Sequence, residues 1–131
     1  DRMLNEVVGD YENVVNFNKK TFKVEKYIFM GYGGGGFAAE DPEFRKVSRE
    51  WYSKYQNDKT VLVTHGPPYG CKLDHLEKRH VGSTDYRKFI ERMKPRLAIS
   101  GHLHETANVQ DSLGKTKVIN PGWEGMVIEL N

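Results

Sequence analysis

Three histidines, by their placement, are the residues of this sequence most able to do chemistry. His65 follows directly on the β-branched run Thr60-Val61-Leu62-Val63-Thr64, and His102 and His104 follow closely on Leu97-Ala98-Ile99. Neutral imidazole is a common metal ligand. His102 and His104 stand two residues apart in a glycine-led loop, where their rings diverge and suit two adjacent ions better than one. Two metals roughly 3.5–4 Å apart clamp a phosphoryl oxygen and activate water at neutral pH. Gly66 and Gly101 let the backbone approach such ions closely. One histidine at a strand end is ordinary polar surface. Three of them, each after a buried strand and two beside glycine, favour a metal or catalytic site.

The elements that must position these rings are legible in outline. Open α/β sheets bind ligands beyond the carboxyl ends of their strands, and strands joined through one helix tend to be neighbours. The spacing predicts strands at Val14-Val15, Thr21–Val24 and Tyr27–Met30, with Asn18–Lys20 as a turn, and a break at Gly33–Gly36. Pro42 opens a helix to about Gln56, with Phe44, Val47, Trp51 and Tyr55 on one face. The strand Thr60–Thr64 and a long loop come next. Ser83 or Thr84 then caps a helix to about Met93, stopped by Pro95. Leu97–Ile99 is a short buried strand. Two further strands are expected around Lys117–Ile119 and Met126–Leu130, with Gln110–Gly114 as the turn before the first. The residues up to Gly9 read as a short or truncated helix.

Composition bounds the rest. A chain of 131 residues fits one domain, and we read 1–131 as such. A hydrophobic share of 37% against 29% charged residues suits a globular chain rather than a disordered one. A net charge of +2 is too small to argue for nucleic acid, so any phosphate preference must come from a local site. The lone Cys71 excludes an internal disulfide and suits a reducing compartment. With no apolar run of membrane-spanning length and no signal pattern, the cytoplasm is the expected location and no membrane partner is expected.

Three strings, read in order, carry a family resemblance: Val61 to Pro68 (ending His65-Gly66-Pro67-Pro68), Ser100-Gly101-His102-Leu103-His104-Glu105, and Asn120-Pro121-Gly122. They resemble the last two signature motifs of the calcineurin-like metallophosphoesterases. The nearest pattern is that of small, mostly prokaryotic members. In these a Tyr-Gly-x-Lys-Leu-Asp loop (Tyr69 to Asp74) and a His-Val-Gly-Ser turn (His80 to Ser83) follow the first motif. The resemblance runs over essentially the whole chain, most strongly from Tyr27 onward. It implies an α/β fold, the C-terminal part of a four-layer α/β/β/α sandwich with mixed sheets. It also implies two divalent ions of the manganese, iron or zinc type, with His65 and His102 on one and His104 on the other. The implied reaction is hydrolysis of a phosphomonoester or phosphodiester.

The family draws its remaining ligands from upstream Asp-x-His, Gly-Asp-x-x-Asp and Gly-Asn-His/Cys-Asp motifs, which this chain does not contain. The chain therefore reads as the C-terminal portion of a metallophosphoesterase domain. Its expected partners are a phosphoester substrate and the N-terminal half of the same domain, in the same or a separate chain; a homo-oligomer stays open. No general acid is assigned. His80 is a candidate for touching substrate phosphate, with a simple exposed histidine as the alternative. Glu105 either orients His104 from behind or is solvated. Cys71 reads as structural, and Trp123 is expected to pack over the site's edge. The rival to an enzyme is a non-catalytic interaction scaffold that keeps this fold.

Overall fold

The computed structural model describes residues 12–34 and 38–130. One six-stranded mixed sheet organises them, in the order β1-β2-β3-β6-β8-β7. Its strands are β1 (Lys20–Val24), β2 (Tyr27–Tyr32), β3 (Lys59–Thr64), β6 (Leu97–Ser100), β7 (Gln110–Leu113) and β8 (Thr116–Ile119). The four central strands β2, β3, β6 and β8 run parallel, while β1 and β7 pair antiparallel at the edges. Helix α1 (Pro42–Tyr55) joins β2 to β3, and helix α2 (Thr84–Met93) joins β3 to β6.

Both helices start where the sequence marks them. Asp41 accepts from the Phe44 amide at 3.0 Å ahead of Pro42, and Ser83 accepts from the Tyr86 amide at 3.2 Å. Helix α2 ends on Lys94, whose φ of 54° leaves the helical region just before Pro95. The two helices cover the same sheet face. Period-two alternation sends Ile28, Met30, Leu62, Ala98 and Val118 toward them. Phe44, wholly buried, sits among Tyr32, Trp51, Tyr86 and Phe89 with ring centroids 4.6–6.2 Å away, in edge-to-face arrangements.

The opposite face is also apolar but carries no helix among the described residues. Tyr27, Val61, Leu97 and Ile119 are buried there, with Phe29, Val63 and Ile99 half-buried. A central strand apolar on both faces belongs inside a layered sandwich. This is one sheet and its helical layer, as expected for the C-terminal part of an α/β/β/α fold.

Several expected elements differ. Gln110–Leu113 is a strand, not a turn: it is a polar edge strand with one buried residue, Leu113, and the reversal falls at Gly114 with φ 61°. Val14-Val15 forms no strand and is exposed. Met126–Leu130 is likewise no strand, since its backbone joins no ladder among the described residues, yet its alternation persists. Met126, Ile128 and Leu130 pack on the open sheet face while Val127 points away, 98% exposed. The loop after β3 holds a 3-10 turn (Lys72–Asp74) and a small hairpin of β4 (His75–Leu76) and β5 (Arg79–His80). The helix-like stretch ending at Gly9 lies outside the described residues, as do Gly35 and Gly36.

Candidate metal centre

Register brings the first two histidines together. Tyr32, Thr64 and Ser100 stand side by side at the carboxyl ends of β2, β3 and β6. The residues after these strands must therefore meet on one rim. The His65 amide donates to the Tyr32 carbonyl at 3.1 Å, and the Gly101 amide donates to the His65 carbonyl at 3.0 Å. The ring centroids of His65 and His102 lie 4.5 Å apart at 55°. His102 adopts φ 65°, a left-handed backbone that histidine tolerates better than most side chains but still at a cost.

His104 opens the next 3-10 turn, His104–Thr106, and is exposed. Leu103, between the two histidines and 2% exposed, anchors the loop in the interior. His102 and His104 both line a cleft of about 730 Å³, with Thr64, Ser100 and Asn120 on its polar side. Val63 and Ile99 belong to its apolar wall. Trp123 stands at the rim of this cleft and is 92% exposed, so it borders the site without packing over it.

The electrostatics favour neutral imidazole at His65. Burial of the ring, and then the charge of the His102 ring beside it, hold its pKa below the ordinary histidine value. A neutral ring offers a lone pair, the form a metal requires. The Ser100 hydroxyl, in a residue only 4% exposed, has no hydrogen-bond partner among the described residues and belongs to the same cleft. A hydrated cation would satisfy it. Yet among the described residues no group of three or more His, Cys, Asp or Glu side chains is placed to hold an ion. The donor set thus fits part of a metal centre: two adjacent imidazoles, with a third on the same cleft.

His80 is not in that cleft. It lies on the β4–β5 hairpin and lines neighbouring cavities with Tyr69 and His75, whose ring centroids are 5.5 and 5.2 Å away. Its Nδ1 donates to Asp74 Oδ1 at 2.8 Å. The hairpin is tied to the segment after His65: Ser83 N donates to the Pro67 carbonyl at 3.0 Å, and Tyr69 N to the Ser83 carbonyl at 2.9 Å. Gly82 is required here, because a Cβ would meet the Pro68 carbonyl at 2.5 Å. Glu105 is exposed in the turn that His104 opens.

Three residues that carry the site's architecture had no role read from sequence. Asp74 is completely buried and accepts from the Gly70, Cys71 and Gly82 amides as well as from His80. Asn120 holds the His102–His104 loop through the Leu103 carbonyl, and the Thr106 hydroxyl accepts from Asn120 Nδ2. Asn120 before Pro121-Gly122 at a strand end was the available signal. Thr106 offered none.

The comparisons with known proteins address the family and the fold. The family model for calcineurin-like phosphoesterases matches residues 2–106. The chain is 35% identical over 117 residues to the uncharacterized protein MJ1162 of Methanocaldococcus jannaschii, covering 82% of this chain and 53% of that protein. It is 38% identical over 63 residues to human metallophosphoesterase domain-containing protein 1, covering 46% of this chain and 19% of that one. The crystal structure of TT1561 of Thermus thermophilus shares the fold with a TM-score of 0.67 at 18% identity, covering 92% of this chain and 55% of that one. The chain thus spans about half the length of the archaeal relative and a smaller share of the human one. With the family match running through both histidine-bearing strand ends, the chain belongs to the calcineurin-like phosphoesterase family.

Proposed function

We propose that this chain supplies His65, His102 and His104 to a centre of two divalent metal ions that hydrolyses a phosphoester. The observation that carries the reading is the 4.5 Å approach of the His65 and His102 rings at the ends of adjacent parallel strands. Calcineurin-like phosphoesterases generally use a divalent metal centre, and the paired His65 and His102 imidazoles, with His104 two residues on, are ligands of the right chemistry. Bound ions of this kind polarise a phosphoryl oxygen and supply a hydroxide at neutral pH. His65 and His102 serve one ion and His104 the other.

The chain's own residues do the rest. His65, kept neutral, presents its lone pair without first shedding a proton. Val63 and Ile99 wall the cleft with apolar groups, lowering the local dielectric and strengthening charge interactions there. His80, oriented through Nδ1 by Asp74, lies outside this cleft, so a contact with substrate phosphate would need a substrate that reaches the neighbouring hairpin. The remaining ligands, carboxylates among them, would come from the N-terminal half of the same domain. The coverage of the archaeal relative supports that half as the missing partner. No helix of the described residues is long and apolar enough to cross a membrane.

The test is hydrolysis of bis-(4-nitrophenyl) phosphate and 4-nitrophenyl phosphate by the complete protein with manganese. His102→Ala is expected to abolish turnover of whichever ester is cleaved. Unchanged turnover with normal metal content would overturn the assignment. Metal uptake without hydrolysis of any ester would move the reading to a non-catalytic scaffold.

A further inference from the structure

The geometry points to Asn120 as a positioning residue for the His102–His104 pair, with Thr106 completing its grip; this inference rests on the metal-centre reading above and deepens it. Asn120 follows β8 directly and is 3% exposed. Its Nδ2 donates to the Leu103 carbonyl at 2.9 Å and to Thr106 Oγ1 at 3.3 Å, while its Oδ1 accepts from the Gly122 amide at 3.1 Å. Leu103 is the single residue between the two histidines. Its carbonyl belongs to the peptide that leads into His104, so fixing that carbonyl fixes how the second ring is presented relative to the first.

The bond inventory closes on itself. An amide nitrogen has two hydrogens, and both of Asn120 are used inside this loop. Thr106 has one hydroxyl hydrogen; its shortest acceptor is the Leu73 carbonyl at 2.7 Å, which leaves its oxygen to accept from Asn120. The Asn120 backbone is held as well, donating to the Val109 carbonyl at 3.0 Å and accepting from the Asn108 amide at 2.7 Å. The histidine loop is therefore clamped by the neighbouring strand's end. That clamp offsets the cost of His102 at φ 65°. The Leu103 carbonyl also accepts from the Thr106 amide at 3.2 Å; without the Nδ2 donor it loses its shorter partner, and the peptide is less firmly fixed. The two imidazoles then no longer share one fixed orientation.

A residue that merely stabilised β8 would behave differently, and the same strand supplies the control. Thr116, at its other end, is 1% exposed and donates to the Pro95 carbonyl at 2.6 Å, away from the site. The experiment is calorimetric titration of the complete protein with Mn²⁺, comparing Asn120→Asp, Thr106→Val and Thr116→Val. Asn120→Asp keeps the shape and the acceptor for Gly122 but sets a carboxylate oxygen against the Leu103 carbonyl. Partners behind metal ligands typically affect affinity by roughly 10- to 100-fold. We expect a weakening of about that size for Asn120→Asp, a weakening in the same direction for Thr106→Val, and unchanged affinity for Thr116→Val despite its lowered unfolding midpoint.

In the metal-free protein, the imidazole ¹⁵N resonances of His102 and His104 are expected to move in Asn120→Asp and to stay in place in Thr116→Val. Should Asn120→Asp fail to fold, Thr106→Val carries the same expectation. Unaltered affinity in Asn120→Asp and Thr106→Val, or an equal loss in Thr116→Val, overturns the positioning role alone. Absence of Mn²⁺ uptake by the unsubstituted protein overturns the metal-centre reading itself.

Discussion

His65 and His102 owe their proposed role to placement. Each directly follows or nearly follows the last residue of a parallel strand, and the Thr64–Ser100 register brings the two ends level. His75 has the same side chain but sits exposed on a hairpin beside His80, away from the ends of the parallel strands. Cys71 shows the same logic in reverse. Burial raises its thiol pKa to about 11, so at pH 8 it stays protonated and a poor nucleophile. We expect it to resist iodoacetamide at pH 8 in the folded protein and to react once the chain is unfolded in urea. Rapid alkylation of the folded protein would contradict the buried placement.

At the scale of elements, the helical layer holds the sheet whose edge carries the site. Phe44 is the centre of that layer, completely buried against four other aromatic rings. Phe44→Ala should cost about 3–5 kcal/mol, measured by urea denaturation. Ser83→Ala, which removes only the α2 cap, should cost about 1 kcal/mol. Equal losses would mean that the aromatic cluster is not the layer's main tie.

The elements that carry histidines were legible because their signals are local. A β-branched run broken by Gly66-Pro67-Pro68, and an apolar triplet followed by Gly101, mark strand ends by themselves. Helix α1 was equally plain from Pro42 and its apolar face. What stayed hidden depends on neighbours. Gln110–Leu113 is polar because it is an edge strand, and polarity beside Gly114 reads as a turn. Met126–Leu130 alternates as a strand should, but no ladder among the described residues takes it up. Asp74 holds the 70–82 loop through three backbone amides and His80, contacts that no residue spacing announces.

For the molecule as a whole, the sheet has two apolar faces and only one helical layer among the described residues. The second face lies beside the histidine cleft, since Val63 and Ile99 belong to both. Our proposal that an N-terminal half supplies the remaining ligands therefore also covers this face. Val63→Asp in the complete protein is expected to lower stability and metal content together, by unfolding titration and elemental analysis. Loss of stability with full metal content would separate the two.

The most direct test of the central claim is the number of Mn²⁺ ions bound per chain by the complete protein and by its His65→Ala, His102→Ala and His104→Ala variants. The account predicts two ions in the unsubstituted protein and fewer in every variant, with the fold retained. Equal metal content across all four proteins would contradict it.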